Sequence, residues 1–332
     1  MTSFISGTRE KKNMANEYIF IAEAEDAGLR LDKYLAESMD GVSRTYLQKL
    51  IDQNVVLVND APAAGKQKLK SGDRIFVSLP EPEKPEILPE NIPLDIIYED
   101  QDVILINKPK GMVVHPAPGH MSGTLVNALM YHCGDSLSGI NGIMRPGIVH
   151  RIDRDTTGVM IACKNDAAHQ CLAEQLKEHS ITRVYEAICI NPLTGDGTVD
   201  KPIGRHPEDR KKMAINEKNG RRAVTHYHLI ENFGNRYAYI SCRLETGRTH
   251  QIRVHMASIH HPLLGDTVYG SSRSNPNDSI RLNGVKIPLE GQVLHARIFG
   301  FRHPRTGAYM EFEAPLPAYF SNLLTQLKQF NK

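Results

Sequence analysis

The densest group of reactive side chains spans residues 147–158, with the sequence Gly-Ile-Val-His-Arg-Ile-Asp-Arg-Asp-Thr-Thr-Gly. Its two carboxylates, Asp153 and Asp155, alternate with the guanidinium groups of Arg151 and Arg154. Nearby positive charges keep a carboxylate ionised, and an ionised carboxylate suits nucleophilic or electrostatic catalysis better than proton donation. A salt-bridged turn in front of a strand would show the same residue types. The residues alone therefore leave a catalytic and a structural interpretation open.

A second group, residues 244–255, is rich in hydrogen-bond donors: Arg248, Thr249, His250, Gln251 and Arg253. A helix that begins near Thr249 would present backbone amides and side chains to an anion. The histidines at 255, 260 and 261 lack acidic partners and HExxH spacing, so the pattern does not predict a metal site.

The third candidate is Tyr185, which lies in the sequence Arg183-Val-Tyr-Glu-Ala. A single tyrosine in a strand is typical of core or cross-strand packing. Taken alone, this residue indicates no chemistry.

The elements that must position these groups form a strand-rich pattern. Apolar periodicity predicts a helix over 167–179 and strands at 102–107, 159–163, 183–190, 223–230 and 237–244. Regular βαβ units are absent from the pattern, so the expected fold class is α+β. Neither GxGxxG nor GxxxxGK[ST] occurs in the sequence, which therefore predicts no nucleotide cofactor.

Composition limits the class of protein. The chain has 332 residues, of which 40% are hydrophobic, and 40 Lys and Arg residues stand against 38 Asp and Glu residues. This predicts about two packed domains and excludes a histone-like basic protein, although a local basic face remains compatible with it. No apolar run reaches the roughly 20 residues of a membrane span. The five cysteines form no CxxC pair, so we expect reduced thiols and a cytoplasmic location.

Proline divides the chain. Residues 80–93 contain five prolines and predict a semi-extended acidic linker. It separates a small unit, 17–79, from a larger one, 94–330, and residues 1–16 are predicted to be a disordered lead-in, with Met14 as an alternative start.

The small unit has the order of elements of a known RNA-binding module. Helical spacing at 31–35, a second helix capped by Ser43, and strands at 55–58 and 74–79 follow one another. Over residues 28–79 this order resembles the S4 domain. The resemblance implies phosphate contacts by Arg30, Lys33, Arg44 and Lys49. On spacing alone, these charges are typical of an ordinary solvated surface.

The three reactive groups together resemble the motifs of the RluA-type pseudouridine synthases. His150-Arg-Ile-Asp-Arg-Asp-Thr-Thr-Gly is similar to their HRLDxxTSG signature, Arg183-x-Tyr-x-Ala to their second motif, and Gly247-Arg-Thr-His-Gln-Ile-Arg to their third. The likeness runs from about Leu94 to Pro317. It implies a catalytic domain with a central, mostly antiparallel sheet, and an isomerase that converts uridine to pseudouridine in RNA without a metal, nucleotide or redox cofactor.

The resemblance also assigns roles. It implies that Asp153 is the nucleophile, that Arg253 pairs with it, and that Tyr185 stacks on the target base and assists removal of the C5 proton. Attack by the carboxylate at C1′ of the ribose or at C6 of the base stays open. The remaining motif residues are expected to contact RNA or to serve as scaffolding of the motifs: Arg151, Arg154, Arg248, His250 and Gln251. For His150, a buried scaffolding role is as strong an expectation as an RNA contact.

The expected partner is large-subunit (23S) rRNA within an assembling ribosomal particle, with the helix 69 stem-loop as target and the enzyme as a monomer. The basic stretch 201–222 would be a phosphate-contacting hairpin or an ordinary solvated loop. Another rRNA or tRNA site is the nearest alternative. A non-catalytic S4-type assembly protein would not need Asp153, and a glycosidase would need a second positioned acid.

Overall fold

The computed structural model describes residues 11–14, 16–39, 41–80, 87–117, 119–142, 145–209, 212–270 and 278–330. The chain divides into two compact units, an N-terminal unit of residues 1–84 and a C-terminal unit of residues 85–332. Within the described ranges, every helix is too short or too polar to cross a bilayer.

The N-terminal unit packs two helices against one antiparallel sheet. Its elements are β1 (Lys11–Met14), β2 (Glu17–Ile21), α1 (Leu31–Ser38), α2 (Arg44–Asp52), β3 (Val56–Val58), β4 (Ala61–Pro62) and β5 (Arg74–Ser78), and the sheet order is β1-β2-β5-β3-β4. The predicted cap is confirmed, since Ser43 Oγ accepts the Tyr46 amide at 3.3 Å. The apolar faces of both helices meet the sheet in one core that includes Leu31, Leu47 and Ile75.

Two of the predicted boundary segments contain more structure than expected. Within the segment predicted as a lead-in, β1 pairs with β2, while residues 1–10 and 15 lie outside the described residues. Strand pairing uses backbone groups, so the polar sequence of β1 gave no periodic signal.

The second half of the predicted linker is packed on the C-terminal unit. Ile87 is buried in its core, the Glu90 amide donates to the Asn127 carbonyl at 3.0 Å, and Asn127 donates to the Leu88 carbonyl at 2.8 Å. Proline prevents regular structure but not the docking of an extended segment. Residues 81–86 of this linker lie outside the described residues.

The C-terminal unit is built on a nine-stranded sheet. Its strands are β6 (Ile96–Glu99), β7 (Val103–Lys108), β8 (Thr157–Cys163), β9 (Thr182–Ile190), β10 (Gly197–Asp200), β11 (Ile203–Arg205), β12 (Met213–Ile215), β13 (Val224–Phe233), β14 (Tyr237–Leu244), β15 (Ser279–Leu282), β16 (Val285–Pro288), β17 (Leu294–Arg302) and β18 (Tyr309–Glu313). Its helices are α3 (Leu125–Cys133), α4 (Asp166–Lys177), α5 (Gln251–Ser258) and α6 (Ala318–Phe330). The sheet order is β10-β13-β14-β9-β17-β8-β7-β6, with β18 on β17, and β11–β12 and β15–β16 form separate hairpins.

This sheet confirms the predicted α+β class and mostly antiparallel pairing. Among the described strand pairs, β8 with β17 is parallel and the others are antiparallel. The apolar run of β7 is continuous because both of its faces are covered. Val103 and Leu105 meet Ala168 and Leu172 of α4, whereas Ile104 and Ile106 lie in the core on the other face with residues of α3.

The junction between β8 and β17 requires a glycine. Gly158 has a φ of 106°, and a Cβ atom there would lie 2.1 Å from the carbonyl oxygen of Ala296. Only glycine allows this backbone conformation and this close approach. Gly158, the last residue of the first motif, therefore allows β8 to pack closely against β17.

Candidate active site

Asp153 lies in the loop that leads into β8, and backbone contacts hold this loop in place. The Thr156 amide donates to the Asp153 carbonyl at 3.1 Å, and the Lys108 ammonium donates to the Arg154 carbonyl at 2.9 Å. Gln292 donates to Thr156 Oγ1 at 3.1 Å. The carboxylate is thus carried by a loop that is fixed on both sides.

A chain of two ion pairs orients the Asp153 carboxylate. Arg253, on α5, donates from Nη1 to Asp153 Oδ2 at 2.8 Å and clasps Asp266 with Nε at 2.7 Å and Nη2 at 3.0 Å. Asp266 is fully buried, and the two carboxylates raise the pKa of Arg253 above its usual value although burial opposes this. The guanidinium therefore stays charged and geometrically fixed.

Asp153 opens into a cavity of about 540 Å³. The first, second and third sequence motifs all contribute to its wall, with Asp153, Tyr185, His250 and Arg253 among the lining residues. The volume is within the range of small-molecule sites. The structure thus brings together the three residues to which the sequence motifs assign the chemistry.

Arg183 and Tyr185, two residues apart on β9, both line the cavity. Burial raises the pKa of Tyr185, so its side chain is a neutral phenol at neutral pH. Arg183 is buried, donates to the Glu245 carbonyl at 3.0 Å, and has an Nε without a hydrogen-bond partner among the described residues. Arg183 lines the cavity, and no carboxylate of the described residues pairs with its positive charge.

The third motif opens α5 with an unusual backbone. His250 is the N-cap of this helix with a φ of 57°, and the helix begins at Gln251, two residues after the predicted start near Thr249. A left-handed conformation at a residue other than glycine costs about 1–3 kcal/mol and is concentrated at functional sites. Burial lowers the pKa of His250, which favours the neutral imidazole.

Two of the motif residues have their side chains engaged within the protein. Gln251 accepts from Thr246 Oγ1 and the Arg248 amide at 2.7 and 2.9 Å, and donates to the Val224 carbonyl at 2.9 Å. His150 accepts the Ile161 amide at 3.2 Å, and burial lowers its pKa to about 3. Both contacts correspond to the scaffolding alternative, because these polar atoms are already satisfied.

One cluster outside the cavity has the residue types of a metal site. Asp100, Asp102 and His303 lie close together, but Arg305 clasps Asp102 through two hydrogen bonds of 2.7 and 2.8 Å. His303 Nε2 lies 2.7 Å from Asp100. The acidic charge is therefore opposed by a guanidinium, and the cluster joins the corner between β6 and β7 to the turn between β17 and β18.

Comparison with protein families assigns both units. The model for RNA pseudouridylate synthase matches residues 102–258, and the model for the S4 domain matches residues 29–75. A protein of Bacillus subtilis named uncharacterized RNA pseudouridine synthase YlyB is 49% identical over 315 residues, which cover 95% of this chain and 99% of that protein. The chain belongs to the RNA pseudouridine synthase family. It is an isomerase that converts uridine to pseudouridine.

Further relatives narrow the resemblance within the pseudouridine synthases. Ribosomal large subunit pseudouridine synthase D of Zymomonas mobilis is 45% identical over 326 residues, which cover 96% of this chain and all of that protein. The sequences of residues 91–100 and 197–207 predict a likeness to ribosomal large subunit pseudouridine synthase D, and the comparison confirms this likeness. The solved structure of human RNA pseudouridylate synthase domain containing 4 is 26% identical, covers 70% of this chain and 92% of that chain, and has a TM-score of 0.52.

The arginines near the cavity of this pseudouridine synthase differ in their hydrogen-bond partners. The Arg151 side chain is exposed and has no hydrogen-bond or ion-pair partner among the described residues. Arg154 donates to both Asp155 oxygens at 3.1 and 3.3 Å, and Arg248 donates to the Arg222 carbonyl at 3.0 Å. Arg210 and Lys211 of the predicted basic hairpin lie outside the described residues.

In the S4 unit, one buried carboxylate organises two arginines. Arg30 clasps Asp32 at 2.8 and 3.0 Å, and Arg44 donates to the same carboxylate at 2.8 Å. The hydrogen bond from Arg30 lowers the pKa of Asp32. Lys33 forms an exposed pair with Glu37 at 3.7 Å, and Lys49 is exposed.

Three residues of the site received no role from the sequence: Lys108, Asp266 and Tyr269. They lie outside the three motifs, 45, 113 and 116 residues from Asp153, and neither periodicity nor spacing assigns them a partner. The segments Asn107-Lys-Pro-Lys-Gly and Gly265-Asp carry a signal, because a lysine or aspartate at the end of a buried apolar run needs a partner.

Proposed function

We propose that this enzyme isomerises uridines of the helix 69 stem-loop of large-subunit (23S) rRNA, with Asp153 as the nucleophile. It acts as a monomer in the cytoplasm on an assembling ribosomal particle. The observation that carries the proposal is the Asp153–Arg253–Asp266 chain at the wall of a cavity that also contains Tyr185. The substrate rests on the relatives named ribosomal large subunit pseudouridine synthase D.

The carboxylate geometry suits covalent catalysis. Arg253 occupies Oδ2, and none of the described residues donates a hydrogen bond to Oδ1, so Oδ1 is available for attack. Attack at C1′ of the ribose would break the N1–C1′ bond directly, as in glycoside chemistry. Attack at C6 would form an adduct with the base, and the N1–C1′ bond would break in a later step. In both routes the base turns and C5 bonds to C1′. In the first route this new bond displaces the carboxylate from C1′, and in the second the carboxylate leaves C6 afterwards. The C5 proton then leaves and N1 takes up a proton.

Tyr185 supplies the face on which the target base stacks. The base must leave its helix to reach the cavity, at a cost of a few kcal/mol that is lower in a loop. Because burial keeps Tyr185 in its phenol form, stacking is its first role, and its hydroxyl assists removal of the C5 proton after the new bond has formed.

The surrounding cations bind the phosphate backbone. Arg30, Lys33, Arg44 and Lys49 of the S4 unit and Arg151, Arg154 and Arg248 near the cavity are the proposed contacts, whereas Gln251 has the scaffolding role of holding the start of α5. Such contacts position the enzyme without reading the sequence. The exposed, unpaired side chain of Arg151 supports a role of this kind.

An Asp153→Asn substitution tests the chemistry. We expect normal folding and rRNA binding but no release of tritium from C5-labelled uridine in rRNA. The matched control is Asp155→Asn, which removes a neighbouring carboxylate outside the cavity and retains turnover. Release of tritium by Asp153→Asn would disprove the assignment of the nucleophile.

Mapping of pseudouridine in a deletion strain tests the substrate. Loss of pseudouridine from helix 69, with restoration by the wild-type gene but not by Asp153→Asn, is the expected result. Loss from another rRNA or tRNA site would preserve the chemistry and contradict the proposed target.

A further inference from the structure

The hydroxyl group of Tyr269 bridges the catalytic helix and the β11–β12 hairpin. Its Oη lies 3.0 Å from the Met213 amide, at the start of β12, and 2.8 Å from His250 Nδ1. The Tyr269 ring also lies under the Arg253 guanidinium, at 5.1 Å from its centroid. Tyr269 thus contacts two residues that face Asp153.

The two hydrogen bonds of the Tyr269 hydroxyl bear on where the protons lie. A backbone amide can only donate, so Tyr269 Oη accepts from Met213 and its own proton is free to be donated to His250 Nδ1. An Nδ1 that accepts belongs to the neutral tautomer with its proton on Nε2. Among the described residues, His250 Nδ1 is the one acceptor within reach of the phenol proton, so the pattern favours a His250 that carries its own proton on Nε2.

The imidazole faces the nucleophile with that proton. His250 Nε2 lies 3.8 Å from Asp153 Oδ1, the oxygen that Arg253 leaves open. The distance is longer than a hydrogen bond, and a small rotation of the carboxylate would close it. An oxygen with two lone pairs can accept this proton with one and attack with the other.

We propose that Tyr269 is a positioning residue of the reaction: it holds His250 in the Nε2–H tautomer, which donates to Asp153 Oδ1 when the target nucleotide is bound. The carboxylate is then fixed at both oxygens, by a cation at Oδ2 and by a neutral donor at Oδ1. This inference rests on the proposed role of Asp153 and adds to it the tautomer on which the orientation of the carboxylate depends.

The charges around His250 are consistent with a neutral ring. Asp153 and Asp266 favour its protonation, Arg253 and Arg151 oppose it, and burial lowers its pKa most strongly. Burial also raises the pKa of Tyr269, so the phenol keeps the proton that it donates. The two groups share a hydrogen bond between neutral partners at neutral pH.

The contact with Met213 extends the arrangement to the hairpin. Tyr269 receives its hydrogen bond from β12, which pairs with β11 in the basic stretch 201–222. RNA that binds this hairpin would press on the strand that fixes the phenol. Through Tyr269 and His250, docking of the substrate is linked to the geometry of the nucleophile.

Nitrogen NMR of the full-length protein labelled at histidine tests the tautomer without relying on activity. We expect the His250 signals of the wild type to show the Nε2–H form, and Tyr269→Phe to shift a measurable fraction to the Nδ1–H form. The control is Tyr98→Phe, which removes a hydroxyl that donates to Asp100 at 2.8 Å, outside the cavity, and leaves the His250 signals unchanged. Nδ1–H signals in the wild type would overturn the proposal.

Turnover kinetics give the second readout. Loss of the proposed His250 hydrogen bond to the charged Asp153 carboxylate corresponds to about 10- to 100-fold in rate. Tyr269→Phe, which no longer holds His250 in the donating tautomer, should therefore lower kcat by that factor, with KM for rRNA within about twofold. His250→Gln, which keeps a neutral donor, should recover part of the rate that His250→Leu loses. Unchanged kcat in Tyr269→Phe, while Asp153→Asn is inactive, would refute the tautomer proposal alone; activity in Asp153→Asn would refute the nucleophile itself.

Discussion

Lys108 Nζ lies 2.9 Å from the carbonyl oxygen of Arg154, which ties the end of β7 to the residue after Asp153. The same ammonium donates to the carbonyls of Pro109 and Met112, both at 2.8 Å, and it is almost fully buried. Three carbonyl acceptors match the three protons of an ammonium group. A buried cation therefore closes the loop that carries the nucleophile.

Replacement of Lys108 by Met should reveal this role through the pH dependence of stability. Burial lowers the pKa of Lys108 to about 7, against an ordinary value near 10.5. Between these values the unfolded chain binds more protons than the folded one, so the wild type gains stability as pH rises, by up to about 1.4 kcal/mol per pH unit. Lys108→Met lacks this slope.

Thermal unfolding at pH 7, 8 and 9 measures the difference between the two proteins. Lys286→Met, which alters an exposed lysine on β16, should keep the wild-type slope. A slope in Lys108→Met equal to that of the wild type would show that Lys108 does not titrate in this range. We also expect a lower kcat, because the Arg154 carbonyl loses its donor.

Removal of the carboxylate behind Arg253 should destabilise the protein. Asp266→Asn leaves the Arg253 guanidinium buried with one carboxylate in place of two. Breaking a buried ion pair by changing one partner typically costs about 3–5 kcal/mol. Urea denaturation measures the loss, and kcat should fall with it since Arg253 is no longer held against Asp153.

The control for Asp266→Asn is Asp135→Asn, because Asp135 is an exposed carboxylate of the same unit. It should unfold at the wild-type urea concentration. Asp266→Asn with wild-type stability and kcat would mean that Asp153 alone suffices to hold Arg253.

A methyl group at Gly158 should prevent the sheet from closing. The Cβ of Gly158→Ala would clash with the Ala296 carbonyl, and the residue would also be strained by its positive φ. Strain and overpacking together cost about 3 kcal/mol or more. We expect low soluble yield and a lowered Tm, whereas Gly139→Ala, which meets open space, should behave as the wild type. A stable Gly158→Ala would contradict this packing.

The shared carboxylate of the S4 unit should affect binding and not chemistry. Asp32→Asn releases Arg30 and Arg44 from their common anchor, so we expect weaker rRNA binding, by about 3- to 10-fold, with unchanged kcat at saturating rRNA. Asp60→Asn removes an exposed partner of Arg74 in the same unit and is the control. Unchanged or tighter binding by Asp32→Asn would show that this anchor does not orient the arginines for RNA.

Local patterns in the sequence predicted the parts of the fold that have a period. The capped helix after Ser43, the buried strand β7 and the helix α4 all lie within one or two residues of their predicted ends, because apolar spacing and capping groups act over a few residues. β1 and the β15–β16 hairpin gave no such signal, since each strand has only four residues, β1 is polar in sequence and β16 is mostly exposed.

The site shows the same division. Asp153, Tyr185 and Arg253 stand in motifs, and the structure brings them to one cavity. Lys108, Asp266 and Tyr269 received no role because a sequence does not show which groups they meet, and only the fold brings Asp266 to Arg253 and Lys108 to Arg154. Gln251 shows what sequence cannot decide: its position among cations left an RNA contact and a scaffolding role open, and in the structure its side chain is occupied by Thr246, Arg248 and Val224.

The place of β17 in the sheet also bears on when a newly made chain can become an enzyme. β8, which follows Asp153, and β9, which carries Tyr185, are not neighbours, because β17 lies between them. A nascent chain that has left the ribosome only to residue 290 already contains every proposed reacting group, yet it lacks the strand that joins the two halves of the cavity. The enzyme therefore gains competence late in its own translation, and a truncated product would be silent although its motifs are complete.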